Sequence, residues 1–152
     1  MAKFNWFTAD PRLADKYALE VQILNEVTQV PEAIERGTAS TAVIADFYGV
    51  KQSTLDTVVL RHRDALNSDG SYILRRKDLG NTYHNAAVIK DRYYSTLRFS
   101  DGSSITIPNR GTRVYSKQAV MRFGLLLQDS ELAQKIQAHI KAPALAYVES
   151  IN

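Results

Sequence analysis

The stretch TAVIADFYGVKQSTLDTVVL, residues 41–60, limits the fold more than any other part of the chain. Gly49 falls between two apolar-periodic runs, each close to helical length. A glycine accepts a positive φ without steric cost, so the chain can reverse within a three-residue turn at this point. Ala45 is small where one helix must approach the other closely, and Val50 is placed to plug the angle between them. Ile44, Leu55 and Val58 share the inward face. Ser40 is expected to cap a helix over Thr41–Tyr48, and a second helix is expected from about Gln52 to Leu66, capped by Lys51, Gln52 or Ser53. Two short core helices would satisfy this pattern, and so would a device that reads DNA. Packing explains the inward residues under either reading, so the outward ones decide.

The flanking sequence supplies further elements. ADPRLADKYALEVQILNEVTQV reads as a helix from about Pro11 to Thr28, with Asp10 as cap, Pro11 in the first position and a stripe of Leu13, Tyr17, Val21, Leu24 and Val27. PEAIERG is a short helix opened by Pro31 and ended by Gly37. NSDGSYILRR gives a turn at Asp69-Gly70 and a strand from Ser71 to Arg75. The segment from Lys77 to Asp91 reads as a loop with a helical turn. Tyr93–Phe99 and Ser103–Ile107 form a hairpin around Asp101-Gly102, a dipeptide suited to a tight primed turn, and Thr112–Tyr115 adds a strand. Ser116 caps a helix through about Leu127, and Asp129 or Ser130 starts another to about Lys141, ended by Pro143.

Charge is unevenly placed. Between Lys51 and Arg122 stand thirteen Lys and Arg against six Asp, while the remaining segments hold six basic and ten acidic residues. A basic middle between acidic ends points to an anionic partner, or else to a solvated surface. With 152 residues, 45% hydrophobic and 23% charged, the chain is about one globular domain. It contains no cysteine, which removes disulfides, thiolate metal sites and a cysteine nucleophile together. The early sequence MAKFNWFTADPRLADKY does not match a signal peptide, and no run of about 18 apolar residues occurs, so a cytoplasmic protein without a membrane span is expected.

On residues 41–60 the chain resembles helix-turn-helix DNA-binding proteins. The run from Ser40 to Leu74, followed by RVYSKQAVMRFGLLLQDSELAQKI, is similar to bacterial and phage transcriptional regulators, including antirepressor-type proteins. The order of elements, helices, a small antiparallel sheet and then helices, gives an α+β fold, mainly α, and the resemblance adds a function for the motif alone. Residues 1–76 would be an N-terminal helix-turn-helix module, with or without a wing. Residues 77–152 would add a small antiparallel β-hairpin or sheet and a C-terminal helical pair, packed with the first as one compact unit. The implied function is sequence-specific binding of double-stranded DNA. The alternative is a mobile-element antirepressor or inhibitor that acts on a protein partner through the same surface.

Under the first reading the second helix of the motif enters the major groove. Gln52, Ser53, Thr54, Asp56, Thr57 and Arg61 are then the base-reading set, with Gln52 suited to adenine and Thr57 to a thymine methyl. Ser40, Thr41, Lys51, Arg63, Arg75, Arg76 and Lys77 are expected at phosphates, the last three as cations of a wing. Asp56 argues against DNA unless it meets a cytosine amino group or a neighbouring cation. His62 is expected to continue the buried stripe of Leu55, Val58 and Val59. Arg98, Arg110 and Arg113 form a second basic group, and Tyr93, Tyr94 and Phe99 are expected to pack across strands rather than stack on bases. His62, His84 and His139 lack ligand spacing, and no phosphate-binding glycine loop or nucleophile elbow occurs. Neither an enzyme, a metal nor a cofactor is expected. The apolar stripe Phe123, Leu126, Leu132, Ile136 and Ile140 would cover the sheet or a second subunit, and a homodimer is expected.

Overall fold

The computed structural model describes residues 5–79 and 87–140. Its helices are α1 (Trp6–Ala9), α2 (Pro11–Ala18), α3 (Gln22–Val27) and α4 (Glu32–Glu35), then α5 (Thr41–Tyr48), α6 (Gln52–Arg61) and α7 (Arg63–Gly70). After the second sheet come α8 (Lys117–Leu126) and α9 over residues 131–140. The strands are β1 (Ala39–Ser40), β2 (Ser71–Leu74), β3 (Ala87–Lys90), β4 (Tyr94–Arg98), β5 (Ser104–Pro108) and β6 (Thr112–Tyr115). The fold is mixed, mainly helical, with two small antiparallel sheets.

Several expected helix ends are in place for the expected reasons. The Asp10 side chain accepts from the Arg12 amide and Pro11 opens α2. Ser40, Ser116 and Ser130 cap α5, α8 and α9, accepting from the amides of Val43, Ala119 and Ala133. Gly37 ends the short α4 segment with φ +73°.

Two helices expected to be continuous are broken. The helix foreseen over residues 11–28 stops at Ala18 and restarts at Gln22, leaving Leu19 63% exposed. Leu13, Ala14, Tyr17 and Ala18 define one buried arc. In an unbroken helix of 3.6 residues per turn, Ile23 would fall roughly 80° outside that arc. The break turns Ile23 and Leu24 into the core together. The helix foreseen over Gln52–Leu66 ends at Arg61, because His62 leaves helical geometry with φ −127° and ψ 29°. Asp69 and Gly70, expected as a turn, finish α7 instead. Tertiary contacts override local propensity there: Asp69 meets Arg122, and the Ser116 amide donates to the Gly70 carbonyl at 2.9 Å.

The first sheet runs β1-β6-β2, with Ala39 opposite Tyr115 and Ser71 also opposite Tyr115. The expected strand at Thr112–Tyr115 is therefore present, but it joins the elements flanking α5–α7 and not the hairpin. β2 and β6 lie on opposite sides of the expected 76/77 boundary. The main core likewise mixes Leu13, Ile44, Leu55 and Leu66 with Phe123, Ile136 and Ile140. The second sheet runs β3-β4-β5, and it includes a strand, β3, in the segment expected to be a loop. A short 3-10 turn at Arg76–Asp78 supplies the helical turn expected nearby. The hairpin does not use a two-residue primed turn. Phe99 N donates to Ser103 O and Gly102 N to Phe99 O, enclosing Ser100, Asp101 and Gly102, with Gly102 at φ +88°. Such a three-residue loop places its glycine in the left-handed position.

Leu97, Phe99, Ile105 and Ile107 from the second sheet bury against Leu74, Leu79, Val114 and Ala33. The Asp101 carboxylate also accepts from the Glu32 amide at 2.8 Å, and the Arg36 guanidinium lies 5.5 Å from the Phe99 ring centre. Phe99 is thus packed as expected, whereas Tyr93 and Tyr94 stay 62% and 51% exposed. The stripe of Phe123, Leu126, Ile136 and Ile140 is buried within the one chain. An uncovered apolar stripe therefore gives no argument for a second subunit. Among the described residues no helix is long and apolar enough to cross a membrane. His84 and Pro143 lie outside the described residues.

Candidate nucleic-acid interface

The reversal between α5 and α6 is made at Gly49, with φ 68° and ψ 36°. A Cβ built there would meet nothing within 4 Å, so the backbone conformation and not crowding calls for glycine. The Val50 amide reaches the Ala45 carbonyl at 3.0 Å, which closes α5. Lys51 stands at the N-cap of α6 in extended conformation and forms no side-chain cap. From the other side α5 is fixed to the C-terminal helices. The Tyr48 hydroxyl donates to the Val120 carbonyl at 2.6 Å, and the Ser130 hydroxyl donates to the Tyr48 carbonyl at 2.6 Å. Burial pushes the Tyr48 phenol well above its usual range.

Only one residue of α6, Leu55, is fully buried; Val58 and Val59 are half-buried beside it. Gln52, Ser53, Asp56, Thr57, Leu60 and Arg61 are exposed. At about 100° per residue these positions fill one continuous half of the helix circumference. The helix is therefore bound to the core by a narrow apolar edge and presents the rest of its surface to solvent.

The residues expected to read bases nearly all lie on that half. The Gln52 amide donates to the Thr41 hydroxyl at 3.0 Å, which ties the start of α6 to the start of α5 across the turn. The Thr57 hydroxyl donates back to the Ser53 carbonyl at 3.1 Å. Asp56 and Arg61 are exposed, and Thr54 is partly covered.

The residues expected at phosphates separate into two groups. Lys51, Arg63, Arg75 and Lys77 are exposed, and Thr41 is half-buried. Ser40 is only 8% exposed and its hydroxyl is occupied as the cap of α5. Arg76 is committed to the second sheet: it donates to the Ser95 hydroxyl at 2.8 Å and to the carbonyls of Asp91 and Tyr94 at 2.6 and 3.0 Å. That guanidinium ties the 3-10 turn after β2 to the second sheet.

No family model matches the chain, and no match is found among curated proteins or solved structures. The site is therefore read from its own residues. His62, at the break between α6 and α7, is half-buried; burial holds its pKa below the usual histidine value, helped by Arg122 and Arg61.

The sequence reading missed the ion-pair centre beneath this region. Arg122, 6% exposed, makes a two-pronged contact with Asp69 and a 2.9 Å pair with Asp15. Burial works against the Arg122 charge, but the two carboxylates outweigh it and hold the guanidinium firmly protonated. Gln118 also donates to Asp69 at 3.0 Å. An apolar run around an arginine, as in AVMRFGLLL, was the only available signal. Among the described residues no group of three His, Asp or Glu side chains gathers as a metal site would require.

Proposed function

We propose that the chain binds double-stranded DNA in a sequence-specific way, with α6 lying in the major groove. The observation that carries this reading is the half-circumference of exposed polar side chains on α6, presented directly after the left-handed turn at Gly49. An exposed polar half is ordinary for a surface helix. Its place directly after the left-handed turn, with side chains able to hydrogen-bond base edges, is what supports the reading. The short strand β1 before α5 and the strand β2 after α7 both pair with β6, which gives the helix pair a sheet frame on both sides. Gln52 and Thr57 would then read bases, with Ser53, Asp56 and Arg61 beside them. Lys51, Arg63, Arg75 and Lys77 would meet phosphates and set register. Two copies on a palindromic site would supply the affinity that one helix lacks, so a homodimer on DNA belongs to this reading.

Selection of bound duplexes from a random pool at physiological salt tests it. One enriched motif with a steep salt dependence is the expected result. A protein that enriches no motif while remaining folded does not have this function.

A second reading has its own support. Leu60 is 72% exposed in the middle of the same face, and Asp56 adds a negative charge to it. An apolar centre beside a carboxylate suits a protein partner, as in an inhibitor that occupies another regulator. Recovery of one stoichiometric protein partner that survives nuclease treatment and is lost in Leu60→Glu would favour this reading.

A further inference from the structure

An open pocket of about 280 Å³ lies where α6, α7 and β6 meet. Its lining comes from Val59, Arg63, Leu66, Asn67, Arg113 and Tyr115. Val59 and Leu66 with the Tyr115 ring give it an apolar floor. Two guanidiniums supply the charge. Arg113 is braced by a 2.9 Å donation to the Ser71 hydroxyl, which in turn donates to Asn67 at 2.8 Å. Arg63 makes no hydrogen bond or ion pair among the described residues. Tyr115 is 2% exposed and faces the charges of this corner. Burial raises its pKa, Arg113 and Arg63 act in the opposite sense, and Asp56 acts with burial. Around that hydroxyl, two positive charges therefore face one negative one.

We propose that this pocket binds a small organic anion, a single carboxylate or phosphate group on an apolar body, with the oxyanion between Arg63 and Arg113. Guanidiniums present paired donors that match an oxyanion, and one that is already braced loses less freedom on binding. The apolar floor explains why the ligand is an organic acid and not a bare ion. A mixed lining of this kind, apolar with a few convergent polar groups, is the usual character of a small-ligand site. The walls belong to three elements, so an occupant would join the end of α6 to the sheet across the break at His62. The inference does not depend on DNA binding, and its first test contains no DNA.

The test is a titration of the full chain with benzoate, followed by amide chemical shifts. Saturable shifts confined to Val59, Arg63, Leu66, Asn67, Arg113 and Tyr115 are expected. Inorganic phosphate is expected to shift the arginines only, and more weakly. Arg63→Gln should weaken benzoate binding about tenfold, the effect of losing one charge-assisted hydrogen bond. Arg63→Lys should restore part of it, since the charge returns without the fork. Arg63→Gln removes no side-chain hydrogen bond or ion pair among the described residues, so a melting curve close to the parent's is expected and separates lost binding from lost fold. Arg113→Gln should weaken binding too, with its melting temperature recorded because the Ser71 contact is lost. Benzoate shifts that never saturate, or that persist unchanged in Arg63→Gln, overturn the proposal. Equal binding of phosphate and benzoate also overturns it. So does the outcome in which only a DNA duplex shifts these amides, which would assign the arginines to the DNA backbone.

Discussion

The hydroxyl of Tyr48 occupies the space that a side chain at Gly124 would need: a Cβ built there would lie 2.6 Å from that oxygen. It would also lie 3.0 Å from Ile136 Cδ1 and 3.2 Å from Tyr48 Cζ, so the Tyr48 ring as well as its hydroxyl would have to give way. This glycine lets α8 pass close to the end of α5, and Tyr48 bonds to α8 one turn earlier at Val120. Gly124→Ala is expected to destabilise the fold by about 1–3 kcal/mol through overpacking, despite the better helix propensity of alanine. Tyr48→Phe alone should cost about 1 kcal/mol for its hydrogen bond. In combination the two should cost less than their sum, because removing the hydroxyl opens part of the space. Urea unfolding of the four proteins measures this directly, and strict additivity would contradict the geometry.

Arg122 and Asp69 set the second expectation. Their side chains are 7% and 2% exposed, and both lie where α7 meets α8. Arg122→Met leaves the buried Asp69 carboxylate without its cation and should cost about 3–5 kcal/mol. Asp69→Asn should cost less, because Asp15 still pairs with Arg122 at 2.9 Å. A joint replacement by apolar residues should cost markedly less than Arg122→Met alone. Circular dichroism melts of the three variants provide the comparison. Equal losses in all three would show that packing and not charge holds this junction.

These two contacts explain which parts of the fold were legible in the sequence. Caps rest on one or two residues and were readable: Asp10, Ser40 and Ser116 act where their chemistry indicates, as does Gly49 at its turn. Asp69-Gly70, by contrast, finishes a helix, and Asp101-Gly102 sits in a longer loop than expected. Breaks inside helices depend on partners far along the chain and were not readable. The sequence around His62 is helical in pattern, yet the chain leaves helical geometry there, and Asp69 in the next helix meets Arg122, 53 residues away. Sheet membership was equally hidden, because Thr112–Tyr115 has the pattern of a strand but nothing local states which edge it will join. At the candidate interface the inward residues of α6 were predictable from spacing. The commitment of Arg76 to the second sheet was not, since an arginine shows no sign in sequence of being already bonded. Ser40, expected both as a cap and at a phosphate, commits its hydroxyl to the cap.

His62 gives a pH expectation. Burial, then Arg122 and Arg61, depress its pKa in the folded chain, whereas the unfolded chain has the usual value near 6.5. In the window between the two values the unfolded state binds more protons, so stability rises with pH across it. The contribution is complete above the unfolded value and is lost as pH falls through the folded one. The carboxylates of Asp10, Glu35 and Asp101 are lowered below their own usual values, so their losses come at more acid pH and stay separate. Denaturant unfolding between about pH 5 and about pH 7.5 should therefore show a rising slope that His62→Gln removes. A slope unchanged in that variant would mean that another group carries it.

The hydrogen bond between Gln52 and Thr41 refines what a DNA-binding experiment should find. Gln52→Ala should relax preference at one base position and cost about 1–3 kcal/mol of discrimination. Thr41→Val frees the same amide from its 3.0 Å partner, so it should alter preference at that position too, without removing a base-reading group. Lys51→Ala should weaken binding to all duplexes alike and reduce the salt slope by about 1. Ser40→Ala behaves differently from all of these, because its hydroxyl caps α5 and the residue is 8% exposed. It should lower stability by about 1 kcal/mol and leave base preference intact. Competition binding on the selected site and its single-base variants, read beside a melting curve for each protein, separates the roles. If Thr41→Val and Gln52→Ala affect different base positions, the two side chains do not act as the pair that the turn between α5 and α6 makes them.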